Sequence, residues 1–183
     1  MDYFKKILKE SFYIVIASSL IGLISGTVLS YNEGLLYAFP VVLLILPALN
    51  SLIGDFSTIL ISRLTTNFYI GTIPAKIQKS KQLKTDFYGL ILSIVFSLIF
   101  LVFLGYIVAL ITKVQIVNPF LIILSIFLTG LILFATLFIF LFIGSVYIFQ
   151  QGKDPNNFLI PMVSSLADFL SPLFLILFIQ IFI

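Results

Sequence analysis

Two carboxylates lie where this sequence is otherwise most apolar. Asp168 sits in PMVSSLADFLSP, residues 161–172, and Asp55 in PALNSLIGDFSTILISR, residues 47–63. Around Asp168, the residues Pro161, Ser164, Ser165 and Pro172 recur at spacings of three and four, which puts them on one side of a helix. Around Asp55 the same periodicity gathers Pro47, Asn50, Ser51, Gly54, Thr58 and Ser62. Such stripes offer oxygen ligands and little else. The chain has no His and no Cys, the residues on which zinc, copper and haem sites depend. A metal ion met here is met by oxygen, which favours magnesium, calcium or manganese.

The elements that carry these residues are membrane helices. Hydrophobic residues make up 61% of the 183 and charged ones 9%, far from the roughly 25% charged residues of a soluble domain. A helix needs about 20 apolar residues to cross the hydrocarbon core. Five stretches qualify, at about 11–31, 36–62, 87–111, 119–149 and 158–183, so the expectation is an all-α membrane protein with five transmembrane helices. The fourth is longer than needed and is expected to tilt, kink or protrude. Residues 11–31 are too long for a signal-peptide core, and no small-residue cleavage pattern precedes Tyr31, so they read as a retained helix. No linker or charge block interrupts the chain, and residues 1–183 read as a single membrane domain.

Lys5, Lys6, Lys9, Arg63, Lys76, Lys79, Lys81, Lys84 and Lys153 fall on one side of this arrangement and Lys113 alone on the other. The positive-inside rule then puts the N-terminus in the cytoplasm and the C-terminus outside, in a multi-pass protein of the plasma membrane. Tyrosines 3, 31, 37, 69, 88 and 147 stand near span ends, where an aromatic ring with a polar tip is favoured. The basic stretch KIQKSKQLK in the 64–86 connection either forms a short helix on anionic headgroups or is solvated. The net charge of +3 belongs to such loops and gives no reason to expect nucleic acid.

An ionised carboxylate at the bilayer centre costs about 2.5–3.5 kcal/mol on insertion scales. With no basic residue inside these spans, Asp55 and Asp168 are protonated, line water or meet a cation. Counted from Arg63 and from Phe158, both fall at similar depth near the midplane. One reading is a cation pathway. The other is a non-transporting scaffold or assembly subunit in which the aspartates are interhelical hydrogen-bond partners. An enzyme is not expected, because no phosphate-binding loop and no nucleophile–base pair is visible. Pro47, Gly54 and Pro161 are expected to loosen their helices and free carbonyls toward a cavity. On the first helix Ser18, Gly22 and Gly26, with Ser19 and Ser25 beside them, are expected to allow close packing. The Phe-rich third and fourth helices are expected to form the lipid-facing shell.

PALNSLIGDFSTILISRLTT and GKDPNNFLIPMVSSLADFLSP resemble the two signatures of the MgtE-type magnesium transporters and their solute carrier family 41 relatives. Both motifs fall in the second and fifth of five helices, as in that family. The resemblance implies an MgtE-like transmembrane domain that transports a divalent cation, magnesium above all, with no resident cofactor. It implies that Asp168 is the pore aspartate and that Ser164, one turn earlier, lines the pore. Gly54 and Asp55 match the family's Gly-Asn pair, with Asp in place of Asn. A hydrated ion would then lie between two Asp168 carboxylates, with Ser164, Ser165, Asn50 and freed carbonyls bonding its water shell, and Asp55 would be a candidate coupling site. The partner implied is a second copy of the chain, or a homologous five-helix half, within the bilayer. The N-terminal and CBS domains of bacterial members have no counterpart in the short stretch before the first helix.

Overall fold

The structure is a computed structural model that describes the backbone of residues 2–182 and the side chains of residues 12–182. The described residues form six helices: α1 (Asp2–Tyr31), α2 (Glu33–Ala38), α3 (Pro40–Tyr69), α4 (Lys81–Ile111), α5 (Pro119–Gln150) and α6 (Pro155–Phe182). All but α2 are long and apolar enough to cross a membrane, and the described residues form no strand.

Local chemistry sets the ends, and several differ from those expected. The second span does not begin at residue 36. Phe39 precedes a proline, which disfavours the α conformation, and its φ of −127° and ψ of 71° break the chain between α2 and α3. Pro40 then opens α3, where a missing N–H costs nothing. The span also runs on past residue 62 to Tyr69. There Gly71 takes φ +75°, and the Thr72 N–H reaches the Asn67 carbonyl, closing the helix in a Schellman motif. Gly152 ends α5 in the same way at φ +72°. The third span begins at Lys81 rather than 87, capped by the Ser80 hydroxyl, which accepts from the Leu83 N–H at 3.0 Å. The connection is therefore only residues 70–80 and holds no interfacial helix. The fifth span begins at Pro155, where Asp154 accepts from the Asn156 N–H at 2.9 Å.

Side-chain contacts fix the directions of the helices. Phe68 and Tyr69 both meet Phe149, so α3 and α5 end together and run parallel. Ile45 packs where Gly105 leaves room, and Arg63 pairs with Asp86, so α4 runs antiparallel to α3. Leu159 lies on Gly144, which sets α6 antiparallel to α5. Asn32 bonds Gln180, placing the last residues of α1 and α6 at the same end.

The Phe-rich fourth span is not a lipid-facing shell. α5 is the most enclosed helix, with Ser125, Thr129, Gly130, Leu133, Leu137, Leu141 and Ser145 buried against α3, α4 and α6. Its small residues allow close approach, as at Gly130, which holds Leu98 of α4. α4 is more peripheral, and α1 packs chiefly on α6. Of α1's small residues Ser18 and Ser25 meet α6, whereas the exposed Ser19 bonds back to the Val15 carbonyl. Gly22 and Gly26 face open space, contrary to their expected packing role.

Arg63, Lys76, Lys79, Lys81, Lys84 and Lys153 gather at one end of the bundle and Lys113 lies at the other. Tyr3, Lys5, Lys6 and Lys9 lie outside the residues whose side chains are described. Tyr31, Tyr37, Tyr69, Tyr88 and Tyr147 are all exposed near helix ends.

Candidate cation site on an exposed polar face

α3 and α6 meet closely at Gly54 and Ala167, where a Cβ on the glycine would stand 4.0 Å from that of the alanine. Each of these residues is followed by an aspartate. The pairing of small residues thus carries Asp55 and Asp168 to one level of the bundle. Asp55 is 14 residues from the end of α3 at Tyr69, and Asp168 is 13 from the start of α6 at Pro155. Both therefore lie roughly 20 Å from the basic end by helical rise. The helix ends assumed from sequence, Arg63 and Phe158, understated both depths.

Both aspartates are exposed on the surface of the single chain. Neither carboxylate has an ion-pair or hydrogen-bond partner among the described residues. On α3 the exposed stripe continues through Pro47, Ser51 and Ser62, with Thr58 half-buried. On α6 it runs from Asn157 through the half-buried Pro161 and exposed Ser164 to Asp168. Ser164 bonds back to the Ile160 carbonyl at 3.2 Å, and half-buried Ser165 to that of Pro161 at 3.4 Å. Each hydroxyl oxygen still has lone pairs to offer. Asn50 differs: its amide oxygen is buried within the chain and has no bond there. Among the described residues no three acidic side chains cluster.

The prolines open specific carbonyls, because a helical proline removes the N–H owed to the residue four before it. Pro47 frees Leu43, which is exposed, Pro161 frees Asn157, and Pro172 frees Asp168 itself. Gly54 instead faces α6, where a Cβ would make only an ordinary contact with Ala167.

Sequence reading missed two features. Asn157 extends the α6 stripe to the basic end, and its spacing of seven from Ser164 was available to find it. Asp86, treated as a loop residue, is buried at the start of α4. Its carboxylate accepts from Arg63 Nε at 3.1 Å, Arg63 Nη2 at 2.5 Å, Asn67 Nδ2 at 3.3 Å and Gln82 Nε2 at 3.3 Å. Arg63, half-exposed, also edges a polar recess of about 300 Å³ with Ser62, Thr66, Asn67 and Gln82 at the foot of the α3 stripe. The larger cavity of about 520 Å³ between α3 and α4 is lined mainly by Leu44, Leu52, Phe100 and Leu104 and has no charged group to hold a cation.

The family model for MgtE, described as a divalent cation transporter, matches residues 46–178. No curated protein and no solved structure matches the sequence.

Proposed function

The chain belongs to the MgtE family of divalent cation transporters, and on that premise we propose that it carries magnesium along a pathway between two copies of itself, lined by Asp168 and Asp55. The observation that carries this reading is a pair of exposed, unpartnered carboxylates, each next to a residue of the α3–α6 contact and midway along a helix long enough to span the membrane. Facing lipid, each would cost about 2.5–3.5 kcal/mol. Facing a second copy across water and a cation, they become the site.

Magnesium gives up its water reluctantly and prefers octahedral oxygen coordination. One chain offers this face two carboxylates and the hydroxyls of Ser51, Ser62 and Ser164. That set suits a hydrated ion, held through its water shell between two such faces. The Leu43 carbonyl, opened by Pro47, adds an acceptor farther from the basic end. Asn50 and Ser165 are half-buried beside this face, and the Asn50 amide oxygen is enclosed within the chain.

The basic end faces the cytoplasm of a plasma-membrane protein, by the positive-inside rule. Ion entry then runs down a negative-inside potential worth about 2.3 kcal/mol per charge per 100 mV, about double for a divalent ion. Asp55, where other members have Asn, adds a second negative charge per chain to the pathway.

Magnesium uptake into liposomes under a negative-inside potential tests the reading, with wild type beside Asp168→Asn. Wild-type uptake that falls to background in the variant is expected. Equal flux in both would remove Asp168 from the pathway and leave the aspartates as contacts between subunits of a scaffold.

A further inference from the structure

Pro172 leaves the Asp168 carbonyl without its usual helical donor. Within a membrane no bulk water replaces that donor, and an unmade backbone bond costs several kcal/mol. The structure fills the gap from another helix: Ser25 of α1 donates its hydroxyl to the Asp168 carbonyl at 2.5 Å. Ser25 is 5% exposed, in a helix that otherwise buries almost nothing. Two turns earlier Ser18 donates to the Pro161 carbonyl at 3.2 Å. Ser18 and Ser25 are seven residues apart, as are Pro161 and Asp168, so α1 runs beside α6 in one fixed parallel register. Both hydroxyls engage α6 within its proline-bounded segment, and one engages the residue that bears the carboxylate.

We propose that Ser25 is a positioning residue for cation transport: its hydroxyl replaces the donor that Pro172 removes and fixes the backbone from which the Asp168 carboxylate is presented to the ion. The inference rests on the transport reading of Asp168. Ser25 touches no ion and no carboxylate oxygen. It acts on the main chain, while the side chain of Asp168 remains on the exposed face. α1 lies outside residues 46–178, the region matched by the family model.

The test is concentration-dependent magnesium uptake into liposomes by wild type, Ser25→Ala, Ser25→Thr, Pro172→Ala and the double variant Ser25→Ala/Pro172→Ala, at equal amounts of monodisperse protein. Ser25→Ala should raise the half-saturating magnesium concentration on the order of tenfold, as loss of one hydrogen bond that favours the ion-competent conformer requires. A general folding defect would instead lower the maximal rate at unchanged half-saturation. Ser25→Thr, which keeps the hydroxyl, should stay near wild type. Pro172→Ala restores the helical N–H, so Ser25→Ala should add almost nothing in that background.

Unchanged half-saturation in Ser25→Ala overturns the inference, and so does an equal effect of Ser25→Ala with and without Pro172. Should Pro172→Ala yield no folded protein, the Ala and Thr variants at position 25 decide: equal defects make Ser25 a packing residue only. A wild type that transports nothing overturns the transport reading itself. Transport by wild type with an indifferent Ser25 overturns this inference alone.

Discussion

Removing Arg63 should destabilise the bundle more than neutralising its partner, although the two groups form one ion pair. The asymmetry follows from exposure: the Asp86 side chain is 0% exposed and that of Arg63 is 50% exposed. Arg63→Ala strands a buried carboxylate with only Asn67 and Gln82 at 3.3 Å, and removing one partner from a buried pair costs about 3–5 kcal/mol. Asp86→Asn leaves a guanidinium that water can reach and keeps one acceptor oxygen. Its cost should be about 1 kcal/mol, the difference between charged and neutral hydrogen bonds. The double variant Arg63→Ala/Asp86→Asn has no stranded charge and should be more stable than Arg63→Ala alone. At roughly 2–4 °C per kcal/mol for a chain of this length, Arg63→Ala should lower the melting midpoint by about 6 °C or more. Heating detergent-solubilised protein and following the surviving monodisperse peak by size-exclusion chromatography gives the order of the three variants. If Arg63→Ala melts no earlier than Asp86→Asn, or if the double variant melts before Arg63→Ala, the carboxylate is not the buried partner and the reasoning fails.

Two further outcomes follow from packing and exposure. A Cβ at Gly130 would stand 2.7 Å from Leu98 Cδ1 and 2.9 Å from Cδ2, so Gly130→Ala should cost about 1–3 kcal/mol by overpacking. Leu98→Ala in the same chain should relieve part of that cost, and a melt in which the two losses simply add would count against the contact. The chain has no cysteine, so Ser164→Cys introduces a single thiol on the proposed interface. Oxidation in membranes should link it to a second copy, whereas Phe103→Cys on the exposed side of α4 should stay monomeric on the gel. The reverse pattern would place the interface on α4.

The five spans were legible because lipid tolerates only long apolar helices, and Asp55 and Asp168 because a carboxylate inside such a run demands a reason. The ends of the second and third spans were not. Arg63 reads as a boundary residue, but it is half-exposed and pairs with Asp86, 23 residues away, while α3 runs on to Tyr69. The burial of α5 was hidden for a different reason. Lipid tails and protein interiors are equally apolar, so a Phe-rich helix carries no sign of which it faces. The small residues Ser125, Thr129, Gly130 and Ser145 were the available signal, since close helix approach needs them. The Ser25 contact was half legible: Pro172 names the carbonyl it leaves open by counting back four residues, but nothing in the sequence says which helix supplies the donor.

The scaffold alternative can be weighed on the direction in which the aspartates face. A membrane carboxylate that serves as interhelical glue within a chain lies between helices and finds a donor there. At the α3–α6 contact, that space is filled by Gly54 and Ala167, and the aspartates stand beside it on the outer surface. Any glue must therefore act between chains. Two copies would then bring four acidic side chains toward one seam, where like charges repel one another. The described residues of this face supply no basic side chain at that level, because Arg63 lies two turns nearer the basic end and is held by Asp86. A seam with that charge is stabilised by protons or by cations, and in a family that transports divalent cations the second costs no additional assumption.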